Sequence, residues 1–210
     1  EYTNFALMGR FGNTMLLNGE IQPTINAKQG ETVRFYLLNT ANARPFNISI
    51  ENTKLQVVGG DIGAFEQSFT KDSLIIAPAE RYIADVQFEK SGTFEVLHTS
   101  PDASYLLGKI IVEETDIQSP PADSLPLTDA AKYKPYFNQS PDFEFSLDID
   151  MRGMVMDMTD AHGEEDSIEW EDTMFQMNQI HNNLMMSWFI EDKKTGKRNM
   201  DIMAEINKGD

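Results

Sequence analysis

The 210 residues carry 34 acidic against 17 basic side chains, a net charge of −17 that repels phosphate backbones and anionic membranes, so no nucleic acid partner is expected. The absence of cysteine excludes disulfides, thiolate zinc sites, cysteine nucleophiles and blue-copper centres, which need a thiolate sulfur. A hydrophobic content of 40% suffices for a packed core, yet no apolar run approaches the roughly 18 to 20 residues of a membrane span. The charge reads first as solubility and second as attraction for metal cations. Glu1 opens without a basic-then-apolar leader, so any targeting segment is expected to have been removed or never to have belonged here.

In residues 15–31, MLLNGEIQPTINAKQGE, turn signals at Asn18-Gly19 and Gln29-Gly30 and an extended piece opening at Pro23 predict two short strands. The stretch Val33 to Phe88 is the most regular of the chain. In VRFYLLN, Val33, Phe35 and Leu37 alternate with Arg34, Tyr36 and Leu38, the two-residue period of a strand. FNISI alternates likewise, and NTANAR between them holds Asn39 and Asn42, which tolerate tight-turn dihedrals, so an antiparallel pair is expected. LQVVGG, SLIIAP and RYIADVQF continue the pattern, the last with Tyr82, Ala84, Val86 and Phe88 on one face. Gly92 leads into a strand alternating Phe94 and Val96, and Ile110 to Val112 close the domain. The sum by Glu114 is seven or eight strands with turn signals every eight to twelve residues and no helix between them, which predicts an all-β Greek-key sandwich.

Residues 115–139 hold prolines at 120, 121, 126 and 135 and read as an extended proline-rich linker. Ten of the twelve methionines lie beyond residue 150. FEFSLDIDMRGMVMDM alternates, DAHGEEDSIE is an acidic loop, and Met174, Met177, Ile180 or His181 and Leu184 follow the spacing of a short helix capped at Asp172 or Thr173. LMMSWFIED reads as a strand, KKTGK as its turn, and AEINKGD as the start of another strand. The organisation expected is a domain over 1–114, a linker over 115–139, and an incomplete second β-domain with a short helix over 140–210.

The ordered set of Asn18-Gly19, Pro23, Gly30, VRFYLLNTANAR, VVGGDIGAFE and APAER with Asp85 resembles the middle cupredoxin domain of three-domain multicopper oxidases, the laccase and copper-efflux-oxidase family. Ala79 stands where that family usually has the glycine of an Ala-Pro-Gly-Glu-Arg turn, and Tyr82-Ile83 replaces a commoner alanine-rich step. FSLDIDMRGMVMDM is similar to the methionine-rich opening strand of the third domain, and WEDTM with NMDI resembles the segment before its copper loops. The resemblance implies a periplasmic or secreted parent protein that holds copper and couples one-electron oxidation of phenols or cuprous ion to reduction of dioxygen to water. It also implies that the first domain and part of the third are partners absent from these residues, with self-association through uncovered strands as a consequence.

Family members bind their copper cluster through His-x-His pairs, and this chain has only the isolated His98, His162 and His181. No catalytic residue and no redox-copper ligand is therefore assigned, and the chain by itself is expected to be an inactive scaffold. In copper-bearing cupredoxin domains the loop before the last strand carries the cysteine, a histidine and an axial ligand. Here LHTSPDASYLLG offers His98 with Leu106 or Leu107 near the axial place, which implies a copper-free domain and a structural or surface histidine. Arg44, Asp61, Glu80, Arg81 and Asp85 read as strand-end pairs that fix loops rather than as a catalytic set. The one metal site considered is for copper(I), at Asp150, Met151, Met154, Met156 and Met158 with His162 nearby, because thioether sulfur is a soft ligand. Leu147 replaces a methionine of the family there, and core filling by methionine is the competing reading. The alternative function is a non-catalytic cupredoxin-like module whose methionine-rich tail binds copper(I) or a protein.

Overall fold

The computed structural model describes residues 9–61, 63–116, 131–151, 168–171 and 186–205. These fall into two compact units, one drawn from Gly9–Ala130 with Ile168–Thr173, the other from Ala131–Ser167 with Met174–Asp210.

The first unit is a sandwich of two sheets. Its strands are β1 (Thr24–Lys28), β2 (Thr32–Leu38), β3 (Phe46–Ile50), β4 (Leu55–Gly60), β5 (Gly63–Lys71), β6 (Leu74–Ile76), β7 (Arg81–Gln87), β8 (Gly92–Thr99) and β9 (Ser104–Glu113). One sheet runs β1-β9-β8-β3-β6 and the other β2-β7-β4-β5, so only β4–β5 and β8–β9 are hairpins and every other connection crosses between sheets. This is the all-β Greek-key sandwich expected from the alternation. The inward residues of both sheets form one core in which Leu55, Val57, Val86, Phe88 and Ile110 are essentially inaccessible to solvent. Phe88 meets Phe94 edge-on at 5.2 Å.

Several expectations are corrected. The β2–β3 connection is no hairpin: β2 pairs with β7, and β3 pairs with β6 and β8. Its Asn39 is buried and spans the sheets, donating through Nδ2 to the carbonyls of Arg44 and Ile76 at 2.8 and 2.9 Å. A turn-forming asparagine here serves a crossover, because its amide replaces the ladder bonds the chain gives up between sheets. Strand β5, GAFEQSFTK, was not expected, since its side chains are mostly exposed and polar. Among the described residues up to Glu113 the count is thus nine strands rather than seven or eight. Among the described residues before β2, one strand forms, preceded by the single Leu17↔Glu20 bridge around Asn18 and Gly19, both at positive φ. The strand β1 runs parallel to β9, so the sandwich is not purely antiparallel. The loop before the last strand is shorter than LHTSPDASYLLG: it spans 100–103, and His98, Leu106 and Leu107 all lie within strands.

In the second unit, β10 (Phe145–Met151) pairs antiparallel with β11 (Met186–Asp192), and Lys193–Lys197 forms the turn that follows, with Gly196 at φ 69°. Ala131–Tyr136 is a 3-10 helix with Pro135 inside it, a correction to the fully extended linker. A short 3-10 helix covers Asn199–Asp201, and no strand forms over residues 202–205. The helix expected over 174–184 and the last residues of AEINKGD lie outside the described residues.

Candidate functional site

The best-defined polar cluster of the first unit lies at the end of β8, on the face where β3 and β9 flank it. His98 pairs in register with Ile48 on β3 and Tyr105 on β9, and its side chain has 0% exposure. Three rings enclose it: Phe46 edge-on at 5.1 Å, Tyr105 stacked at 5.7 Å with a 14° tilt, and Trp170 at 5.9 Å. The Asn47 backbone N–H donates to His98 Nδ1 at 3.0 Å. With Nδ1 accepting, the neutral ring must carry its proton on Nε2. Nε2 is buried with no hydrogen-bond partner, as is Asn47 Oδ1.

Beside this ring lies Arg44, delivered by the 39–45 crossover and buried to 4% exposure. Its guanidinium donates to the carbonyls of Trp170 at 2.9 Å and Gly12 at 3.2 Å, and forms an ion pair with Glu171 at 3.0 Å. It also packs over the Phe11 ring at 5.3 Å. The Tyr105 hydroxyl donates to Glu171 Oε1 at 3.0 Å. Residues Ile168–Glu171 thus form a strap across the end of the sandwich, held by the Arg44 cation and the Tyr105 hydroxyl and covering one imidazole. Burial, followed by the nearby Arg44 charge, holds the His98 pKa below its ordinary value against the attraction of Glu171, and the Asn47 N–H, which only an unprotonated Nδ1 can accept, acts in the same direction as burial. The hydrogen bond to Glu171, with burial behind it, raises that of Tyr105.

The other charged residues singled out from the sequence form structural pairs. Arg34 donates to both oxygens of Asp85, through Nε at 2.7 Å and Nη2 at 2.8 Å. That pair sits in mid-strand, because Arg34 and Asp85 are register partners on β2 and β7, not at a strand end. Arg81 donates to Asp61 at 3.0 Å, and Glu80 accepts from the Ala77 amide and the Tyr82 hydroxyl at 2.7 and 2.8 Å. The last bond, with burial behind it, raises the Tyr82 pKa. Of the copper(I) residues, Asp150 and Met151 lie on β10 in register with Ser187 and Met186, whereas Met154, Met156, Met158 and His162 lie outside the described residues, as does His181. Among the described residues no three His, Asp or Glu side chains converge as a metal-binding group.

The end of β8 is where the resemblance implies that copper-bearing relatives hold a blue copper ion, and the residues present do not fit one. The chain supplies no thiolate, His98 Nδ1 already accepts a backbone bond, its Nε2 is walled in by rings, and the Arg44 cation lies alongside. Sequence reasoning missed Asn47, Tyr105, Trp170 and Glu171 as members of this cluster. A tryptophan beside acidic residues in a polar stretch was the only local signal.

The sheets and this filled end define a cupredoxin-like β-sandwich domain. Residues 3–105 match the family model described as multicopper oxidase. Similar proteins include the cell division protein FtsP of Rahnella sp. (strain Y9602), 33% identical over 111 residues, covering 52% of this chain and 23% of that protein. The laccase of Bacillus subtilis (strain 168) is 33% identical over 78 residues, covering 37% of this chain and 15% of that protein. Among solved structures, the laccase-like multicopper oxidase CueO from Ochrobactrum sp. matches at 28% identity and TM-score 0.50, over 54% of this chain and 27% of that one. The 2F4 variant of McoA from Aquifex aeolicus shares the fold, with TM-score 0.51 at 20% identity, over 58% of this chain and 30% of that one. The chain spans about a quarter of the length of the FtsP relative. Among the described residues no helix is long and apolar enough to cross a membrane.

Proposed function

We propose that residues 1–114 act as the copper-free scaffold domain of a multicopper oxidase, with residues 140–210 opening a further cupredoxin domain. The parent protein, periplasmic or secreted, would hold copper and couple one-electron oxidation of phenols or cuprous ion to reduction of dioxygen to water. What supports this reading is the end of β8, where the resemblance implies copper ligands in copper-bearing relatives and this chain has aromatic rings, a bond-accepting imidazole and an arginine. A cation there would meet the Arg44 charge and no thiolate, so the domain contributes packing and spacing rather than electron transfer. Its partners would be the other domains of the parent chain.

The test supplies the isolated chain with copper and dioxygen and follows oxidation of a phenol together with the visible spectrum. No turnover and no blue band are expected; either one overturns the scaffold reading. Finding His-x-His pairs upstream of Glu1 and a His-Cys-His segment downstream of Asp210 in the encoding gene would support it, and stop codons at both ends would sink it.

The second reading, a non-catalytic module whose methionine-rich tail binds copper(I) or a protein, is favoured by one finding: a relative covering half of the chain is named for cell division rather than for an oxidase. Replacing Met154, Met156 and Met158 by leucine tests its metal arm. Loss of copper(I) in competition with a chelator supports a site that includes Asp150 and Met151, and unchanged retention favours packing.

A further inference from the structure

Ile168–Glu171 is held on the first unit by the buried Arg44 cation and the Tyr105 hydroxyl, and its Trp170 ring packs on one buried, neutral imidazole. We propose that His98 and this strap form a pH-operated clasp, in which proton uptake by His98 at mildly acidic pH expels Trp170 and opens the surface made by Arg44, His98 and Tyr105. The inference does not depend on copper chemistry or on the oxidase reading.

The geometry gives the clasp its direction. A second proton on His98 would have to enter at Nδ1, where the Asn47 N–H now donates at 3.0 Å, so protonation sets donor against donor and breaks that bond. The new charge would lie next to Arg44, inside a shell of Phe46, Tyr105 and Trp170 rings, with Nε2 already lacking an acceptor. Of the groups that face the imidazole, Arg44 from the crossover opposes its charge, Glu171 from the strap favours it, Tyr105 from β9 is a phenol spent on Glu171, and β3 offers only Phe46 and the Asn47 amide. Burial and Arg44 prevail over Glu171, which lies at the edge with 46% side-chain exposure. Lifting Trp170 stabilises the protonated ring, because water then hydrates the charge and accepts from Nε2.

The sign follows from a closed-state pKa held below the ordinary value of about 6.5. The clasp is fully stabilised above that ordinary value and loses stability as pH falls beneath it, until the closed form itself takes the proton. Over that window the open population rises by up to about tenfold per pH unit, the limit for one linked proton.

The experiment uses the full chain carrying Trp188→Phe, which leaves Trp170 as the only tryptophan, and follows its emission and acrylamide quenching from pH 7.5 to 5. The expected result is a red shift and a several-fold rise in quenching below pH 6.5, with far-UV circular dichroism unchanged, and neither change in a His98→Phe chain. A flat response in the parent chain, or the same transition in His98→Phe, overturns the proposal. Should His98→Phe fail to fold, hydrogen exchange at the Asn47 amide decides: its protection factor falls with the red shift if His98 takes the proton, and constant protection overturns the clasp.

Discussion

Arg34 and Asp85 show what one residue pair decides in this molecule. Asp85 is 2% exposed and Arg34 is 36% exposed, so the two members of a bidentate pair have unequal access to water. Removing the cation strands a buried carboxylate, whereas removing the anion leaves a guanidinium able to turn outward. Arg34→Met is expected to destabilise the first unit by about 3–5 kcal/mol, and Asp85→Asn by about 1–2 kcal/mol. Urea unfolding of both variants checks this, and an Asp85→Asn chain as unstable as Arg34→Met would refute the ordering. The sequence showed Asp85 to be one of several charges near strands but not its partner, which lies 51 positions away. Ala79 was more legible. It departs from a glycine of the resembling family and sits at φ 67°, a left-handed backbone that costs an L-residue roughly 1–2 kcal/mol. His98 was least legible, because nothing near it in the chain announces Trp170, and burial of an isolated histidine is decided by what packs over it.

At the scale of elements, alternation found the strands with a buried face and overlooked the one without. β2, β3, β4 and β7 carry inward apolar residues at every second position, β8 and β9 do so apart from the irregularity between them at Val96/Leu97, and each was expected. β5 carries few, and it exists because the backbone of β4 offers it a partner. At Gly59 the two backbones approach so closely that an added Cβ would stand 2.7 Å from the Gly63 carbonyl oxygen. Gly59→Ala is therefore expected to push β5 away and cost about 1–3 kcal/mol; unaltered hydrogen-exchange protection along 63–71 would show that the contact is not limiting. The hairpin expected for β2 and β3 failed for a related reason. Asparagines mark a change of direction, while the sheet that receives the next strand is chosen by which inward face it completes.

At the scale of the whole molecule, the two units differ in what they cover. The first closes both sheets over a shared core. The second, among its described residues, is a two-stranded sheet with Leu147 69% exposed, Trp188 58% exposed and Ile190 46% exposed along one face. A two-stranded sheet with exposed apolar residues on one face is marginal in water by itself, and such a face recruits a partner. Sedimentation velocity of the full chain is expected to show concentration-dependent association, weakened in a chain carrying Leu147→Glu and Trp188→Glu; a parent chain that stays monomeric at all concentrations would contradict this.

The sequence alone determined the all-β class, the sandwich, most strand positions and the lack of any thiolate for a blue copper centre, because two-residue periodicity, turn residues and composition are local properties. Only the tertiary structure decided which strands pair, that Arg34 meets Asp85, and that Arg44, Tyr105, Trp170 and Glu171 enclose His98. Those contacts join residues as far apart as Arg44 and Glu171, and no local preference specifies them. They arise when burying the apolar faces of both sheets brings distant polar groups together, where each must find a partner.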